Sequence, residues 1–411
     1  MDTRRRGATL DKAPARTGYR LPWPSRGISY TADEIQKVVE VMSAPCSEAL
    51  TQGPHQEEFE QAFSRYHGGL PAFATSSGAA ALELAALLIR LQPGDEVIIP
   101  AHTYVASALP FARWGARIVW ADIDPGTRVV TEETVAACLS GRTRAVVVVH
   151  LYGLNAPMDG LVSLARDQGI VIVEDCAQSL GASYRGGRSG THGDIATYSF
   201  HAQKNITTLG EGGMITTRSP DFAKWIPGLR HNGHRPYPED RARYWSPAMS
   251  NVDFDLENVW PYNFSIGEVQ CALGTLLMSR LDDINARRYR YARRIIESLA
   301  ESCPELEFQY IPTGSTHSYH LLCAKYDTVG SATRDDLIRI LNTEFSIQPV
   351  VQYYPLYRYP LFVRAGMGDA HCPRTDEFFD NMLSFPFSET YSDEDIAFLT
   401  SSIQSAVESL R

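Results

Sequence analysis

The stretch Ile170-Val-Ile-Val-Glu-Asp-Cys-Ala-Gln178 decides the fold class. Its first four residues are apolar without alternation, and the run ends at Asp175. A strand with one wet face alternates apolar and polar residues; a strand covered on both faces does not. Similar runs recur downstream of Ala72: Glu96–Pro100, Ala116–Trp120, Ala145–Val149, Ile195–Phe200 and Gly213–Thr217. Helical patterns separate them. Strands joined by helical crossovers imply an α/β fold with a mostly parallel sheet covered by helices. Ligands of such sheets gather beyond the carboxyl ends of the strands, where Asp175 stands.

The chemistry-bearing stretch follows: Tyr198-Ser-Phe-His-Ala-Gln-Lys-Asn-Ile-Thr-Thr-Leu-Gly-Glu-Gly-Gly-Met214. It sets Lys204 between hydroxyl-bearing Ser199 and a Gly-rich turn. Farther upstream, Thr75-Ser-Ser-Gly-Ala-Ala80 precedes an apolar helix over Ala81–Ile89. Backbone N–H groups at such a helix start make an anion site, although Ser-Gly helix starts are also common without one. A strand-end carboxylate, a lysine and a phosphate cradle are what pyridoxal phosphate (PLP) requires. The lysine forms the imine and the carboxylate keeps the ring nitrogen protonated. Each residue also has a plainer role. Asp175 reads equally as a helix cap, Lys204 as a surface lysine and Gln178 as a loop hydrogen-bonder. Tyr104 is either a ring that stacks on a planar cofactor or a core aromatic.

The 411 residues suit two domains, or a large one with a smaller one. The apolar fraction of 44% and the charged fraction of 21% are ordinary for a soluble protein. A net charge of −10 argues against nucleic acid as a partner. The seven cysteines are odd in number and form no CxxC pair, so neither a zinc site nor a disulfide framework is expected. No apolar run approaches the roughly 18–20 residues of a membrane span. No apolar signal segment follows Met1, and a cytoplasmic location is expected.

Residues 1–27 are rich in Arg, Pro and Gly and read as an arm. Thr31, with Glu34 three residues on, predicts a capped helix start. The stretch 230–262 reads as a long functional loop. A helical segment then runs from beyond Ser265 to about Ala300. A strand at His320–Ala324 and helices at Arg334–Leu341 and Asp393–Ser409 predict a second, α+β unit. In the loop, His231, His234, Arg235, Tyr237 and Trp245 are candidates to face a polar substrate. Arg230, Arg358 and Arg374 are candidates for a carboxylate or for solvated surface roles.

Several further stretches occur in a fixed order: Thr51-Gln-Gly-Pro54, Ser77-Gly-Ala-Ala-Ala-Leu82, Pro93-Gly-Asp-Glu-Val-Ile-Ile-Pro-Ala-His-Thr-Tyr104, His150-Leu-Tyr-Gly153, Glu174-Asp-Cys-Ala-Gln178, Gly193–Phe200 and Lys204-Asn205 before Gly210–Gly213. From about Ile35 to near the C-terminus, the chain thereby resembles the DegT-type sugar aminotransferases of the aspartate-aminotransferase superfamily. The resemblance implies PLP fold type I: an arm at 1–27, a large PLP-binding domain at 28–265 and a small C-terminal domain at 266–411. It makes Lys204 the Schiff-base lysine, Asp175 the partner of the pyridine nitrogen and Gln178 that of the ring hydroxyl. Ser77, Gly78, Ala79 and Ser199 would hold the phosphate, and Tyr104 would stack on the ring. Asn263 would reach the phosphate from a neighbouring subunit, although Ser265 and Ile266 depart from the family's Arg-Met. His317–His320 and Tyr353–Tyr357 are similar to substrate-facing segments, with Tyr354 and Tyr357 where His is frequent.

The implied reaction takes an amino group from glutamate or glutamine to a keto or aldehyde sugar, in surface-polysaccharide or natural-product biosynthesis. The acceptor is a nucleotide sugar, a cyclitol or an acidic sugar, and the enzyme is a homodimer with a shared site. Two alternatives keep the fold. One is a PLP-dependent dehydrase, which carries histidine in place of the lysine. The other is a PLP-binding regulator, which usually carries an added DNA-binding domain. The presence of Lys204 disfavours the first, and the short arm disfavours the second.

Overall fold

A computed structural model of the chain describes residues 18–45, 48–234, 256, 259–328 and 330–411. Its central sheet has seven strands: β1 (Ala72–Thr75), β2 (Glu96–Pro100), β3 (Arg117–Ala121), β4 (Thr143–Val149), β5 (Val171–Asp175), β6 (Ile195–Ser199) and β7 (Gly213–Thr217). The order across the sheet is β1-β7-β6-β5-β4-β2-β3. Strands β3, β2, β4, β5 and β6 run parallel, and β7 pairs antiparallel with β6 and β1. Val146–Val149 are buried, as the unbroken apolar run requires.

The helices α1 (Ala32–Met42), α2 (Pro54–Tyr66), α3 (Gly78–Ile89) and α4 (Glu268–Leu299) build around this sheet. Helix α1 starts with the expected capping box: Glu34 N–H donates to Thr31 Oγ1 at 3.3 Å and Thr31 N–H to Glu34 Oε2 at 2.8 Å. Helix α3 is buried on nearly every side and packs on β6 and β7. Helix α4 has 32 residues, so it spans about 48 Å. Its first half shares a core with Phe59, Phe63, Tyr198 and Phe200. Its second half shares another with Leu322, Leu341, Phe385 and Ile403.

That second core is built on an antiparallel sheet, β8 (Leu306–Phe308), β9 (Leu322–Tyr326) and β10 (Met382–Phe385), in that order. Helices α5 (Arg334–Thr343) and α6 (Asp393–Glu408) complete it. The strand expected from His320 starts two residues later. The carbonyls of Tyr319 and His320 are taken by the Arg288 guanidinium, so they are not free for a ladder. Among the described residues no helix is long and apolar enough to cross a membrane. Six cysteines are unpaired thiols, and Cys46 lies outside the described residues.

The start of α2 shows how a distant residue completes a local element. Its N-cap, Gly53, has no side chain to accept the first N–H groups. Glu268, the first residue of α4, does so instead. Its carboxylate accepts from Gly53 N at 2.9 Å, His55 N at 2.8 Å and Gln56 N at 3.2 Å. The approach at Gly53 is close: a Cβ there would meet Glu268 Oε2 at 2.8 Å, and the carboxylate would have to shift to admit it. Replacing Glu268 with Ala leaves these donors without their acceptor, at an expected cost of about 1–3 kcal/mol. Calorimetric unfolding should show a lower midpoint for Glu268→Ala. An unchanged midpoint would show that the cap contributes nothing.

Candidate active site

The carboxyl end of β5 presents Glu174 and Asp175 to opposite faces of the sheet. Glu174 is fully buried and accepts from His150 Nε2 at 2.8 Å and from the N–H groups of Gly190, His192 and Gly193 at 3.0, 2.8 and 2.5 Å. Burial works against its ionisation, but the hydrogen bonds from His150 and His192 win, and its carboxyl is held well below the usual range. Ligand atoms of His150, Glu174 and Cys176 lie within 4.8 Å of one another. With four donors already on Glu174, the group reads as a hydrogen-bonded buttress for the strand end.

Asp175 faces the other way, into a cavity of about 590 Å³, within the range of small-molecule sites. Ser107 Oγ donates to its Oδ2 at 2.7 Å, and Ala177 N–H to its Oδ1 at 3.1 Å. Ser107 is in turn bonded to Thr103 Oγ1 at 3.1 Å. Lys204 lines the same cavity from the loop after β6. Burial pulls its ammonium down to about 8, against the opposing pull of Asp175 and Glu211. The free amine is thus much more available than on an ordinary lysine.

The Lys204 loop is clamped from two sides. Ala202 O accepts from Gly27 N at 2.8 Å, and Gln203 Nε2 donates to Pro24 O at 3.0 Å. Asn205 Nδ2 donates to Asn285 Oδ1 at 2.7 Å and to Ser318 O at 2.9 Å. Contact with the first clamp is so close that a Cβ on Gly27 would lie 1.9 Å from Lys204 O.

Ser77 caps α3, its Oγ accepting from Ala80 N at 3.1 Å. Gly78 and Ala79 line the cavity in that first turn, where helix N–H groups lack intrahelical acceptors. Ser199 stands beside them; a Cβ on Gly78 would sit 2.8 Å from Ser199 Cβ. Gln178 is fixed by its Oε1 accepting from Tyr152 N at 2.9 Å, and its Nε2 donates to Tyr353 OH at 3.3 Å. Tyr104 lines the cavity with its ring edge-on to Tyr353, centroids 6.0 Å apart.

Ser77, Gly78, Ala79, Tyr104, Asp175, Gln178, Ser199 and Lys204 therefore line one cavity. Asn263 does not. It is exposed, its Oδ1 accepts from Ser265 N at 3.2 Å, and it bridges to His231. The carboxylate candidates do not line the cavity either. Arg230 is occupied by Glu60 and Ala74 O, Arg358 by Asp376 and Asp380, and none of Arg230, Arg358 and Arg374 lines the cavity. Arg26 and Arg288 do line it. His317 is buried against Gln309, and Tyr357 bonds Asp376, whereas His320 and Tyr353 reach the cavity. His231 and His234 lie away from it; Arg235, Tyr237 and Trp245 are outside the described residues.

Sequence reasoning missed Ser107, Arg26 and Arg288. Ser107 sits three residues after Tyr104 and looks like any loop hydroxyl. The residues present fit PLP: a helix start and a hydroxyl for its phosphate, a carboxylate for its ring nitrogen, an amide for its ring oxygen and a lysine for its aldehyde.

Residues 29–404 match the family model described as the DegT/DnrJ/EryC1/StrS aminotransferase family. The chain is 32% identical to the spore coat polysaccharide biosynthesis protein SpsC of Bacillus subtilis, over 89% of this chain and 92% of that one. It is 34% identical to a GDP-perosamine synthase of Caulobacter vibrioides, over 76% and 80%. Its fold superposes on the aminotransferase TlmJ of Streptoalloteichus hindustanus with a TM-score of 0.83 at 27% identity, covering 94% and 99% of the two chains. The chain belongs to the DegT/DnrJ/EryC1/StrS aminotransferase family, and is a PLP-dependent transaminase of fold type I.

Proposed function

We propose that the enzyme moves the amino group of glutamate or glutamine to a keto or aldehyde sugar, with Lys204 and Asp175 as its reacting pair. One observation carries this reading: Lys204, its ammonium drawn down to about 8, shares a cavity with buried Asp175 and the Ser77–Ala79 helix start. PLP, when bound, supplies an electron sink for the carbanion formed at the donor's α-carbon. Asp175 holds positive charge at the ring nitrogen. Ser107 and Ala177 keep its oxygens aimed there. Lys204 takes the proton from the donor's α-carbon and returns one on the reverse path, work suited to an amine with a lowered pKa. Ser77, Gly78, Ala79 and Ser199 hold the phosphate, Gln178 the ring oxygen and Tyr104 the ring face.

A sugar acceptor is supported by the relatives' names, a GDP-perosamine synthase and a spore coat polysaccharide protein among them. Most residues that line the site fall within the proposed large unit at 28–265; the proposed small unit at 266–411 adds Arg288, His320 and Tyr353, and the arm adds Arg26. The enzyme works as a homodimer in the cytoplasm. Unpaired thiols suit a reducing compartment. Exposed Asn263 follows exposed Trp260 and Tyr262, a surface that suits burial by a second copy whose site it completes.

Three outcomes are expected. Lys204→Ala should lose the visible cofactor band that borohydride fixes onto Lys204, and turnover should fall by about 10³ or more. In the apoprotein, the rate of PLP capture should rise with pH and level off above about 8. Removing the Asp175 charge lowers the Lys204 pKa further, so Asp175→Asn should move that midpoint down. A midpoint near 10.5, that of an unperturbed lysine, would exclude the buried amine. Finally, mixed dimers of Lys204→Ala and Asn263→Ala chains should regain activity at one of their two sites. If Asn263 serves its own chain, every site in the mixture is defective and nothing is regained.

A further inference from the structure

Arg288 lies on α4, is 1% exposed and is one of the residues that line the active cavity. It donates from Nε to Tyr319 O at 2.8 Å, from Nη2 to His320 O at 2.8 Å and from Nη1 to Gly27 O at 3.4 Å. These bonds use three of the five N–H groups of a guanidinium. Burial lowers its pKa to about 10, so it is charged at neutral pH. Among the described residues no carboxylate stands within salt-bridge distance of it. Glu389 attracts it from farther off, and is itself approached by Arg287 at 4.0 Å and by Ser29 N at 3.4 Å. A buried cation without a close counter-ion is costly, and carbonyl dipoles offset only part of that cost.

A second orphan lies beside it. His320 is 5% exposed and lines the same cavity, and its Nδ1 is buried without a hydrogen-bond partner. Burial, together with the charges of Lys204 and Arg288, keeps its ring neutral. Two guanidinium N–H groups and an imidazole nitrogen without a hydrogen bond among the described residues thus belong to side chains of residues that line the cavity together with Lys204. A carboxylate satisfies both groups, accepting a charge-assisted bond from the arginine and a neutral one from the imidazole. In an amino acid the carboxylate is attached to the carbon whose proton Lys204 must reach. An anion anchor in this cavity therefore orients that carbon.

We propose that Arg288, assisted by His320, binds the carboxylate of the amino donor. The inference rests on the transaminase reading with an amino-acid donor, and replaces Arg230, Arg358 and Arg374 in that role. An acidic donor is thereby favoured over a simple amine, because the amine leaves the Arg288 charge without a counter-ion.

The test uses PLP-loaded enzyme, in which the phosphate cradle is filled, and glutarate, a dicarboxylate with no amine to transfer. Isothermal titration should show glutarate binding to the wild type. Affinity should fall by about 30-fold or more in Arg288→Gln and by about 3–10-fold in His320→Ala, which keeps the backbone carbonyl that holds Arg288. Arg288→Lys, retaining charge but fewer donors, should fall between wild type and Arg288→Gln. The KM for L-glutamate in the donor half-reaction, followed by the visible band, should rise in the same order. A folded Arg288→Gln enzyme that binds glutarate like the wild type overturns the proposal. If that variant does not fold, unchanged glutarate affinity in both Arg288→Lys and His320→Ala overturns it instead. A strap holding three carbonyls and nothing more would lower the unfolding midpoint and leave glutarate affinity alone. The two readings fail separately. Wild-type enzyme that binds glutarate but transaminates no amino acid refutes the proposed function and leaves the anion pocket standing.

Discussion

A carboxylate buried at the end of a parallel strand is the constraint around which the site is arranged. Asp175 is 4% exposed, and an ionised group there is costly unless donors and a cation attend it. Ser107 and Ala177 N–H supply the donors. Two loops are thereby fixed, the one after β2 that holds Ser107 and the one after β5 that holds Ala177 and Gln178. The cation is left to Lys204 and to the ring nitrogen of the cofactor. Glu174, one residue earlier, faces away and anchors the same strand end through His150 and three backbone N–H groups. Alternation along a strand thus gives adjacent carboxylates different work: one holds the strand end, the other faces the chemistry.

Steric constraint does the rest of the positioning. Glycines stand where backbones meet around the phosphate cradle and the lysine. A Cβ on Gly213 would lie 2.4 Å from Ser77 C, and one on Gly78 would reach Ser199. Only bare backbone lets β6, β7 and the start of α3 converge on one small volume. Gly27 plays the same part for the Lys204 loop. None of these three needs a left-handed φ; closeness of approach selects glycine at each.

What the sequence made legible follows from this geometry. Asp175, Lys204, Ser199 and Ser77–Ala79 sit at strand ends and a helix start, and periodicity locates strand ends and helix starts. The mixed sheet and the α1 capping box were readable for the same reason. Ser107, Gly27 and Arg288 were not, because each reaches the site through contacts between segments far apart in the chain. Arg288 is one of several arginines along a single helix, beside Arg287 and Arg290, and only its place on the buried stripe, four residues after Ile284 and four before Ala292, sets it apart from them. Arg230 shows the converse error. It is buried and charged, but Glu60 and Ala74 O already hold its Nη1.

The charge distribution has a consequence that the overall composition hides. The chain carries a net charge of −10, yet the cavity is bordered by Lys204, Arg26 and Arg288, with Asp175 and Glu211 as its acids. Local field, rather than net charge, decides what enters such a cavity. The two buried cations also divide the work. Lys204 can shed its proton near neutral pH because burial has lowered its pKa to about 8, whereas Arg288, lowered to about 10, stays charged. A site that must hold an anion while moving a proton needs one cation that titrates and one that does not. A lysine and an arginine meet that need, because the same burial that brings an ammonium into range leaves a guanidinium protonated.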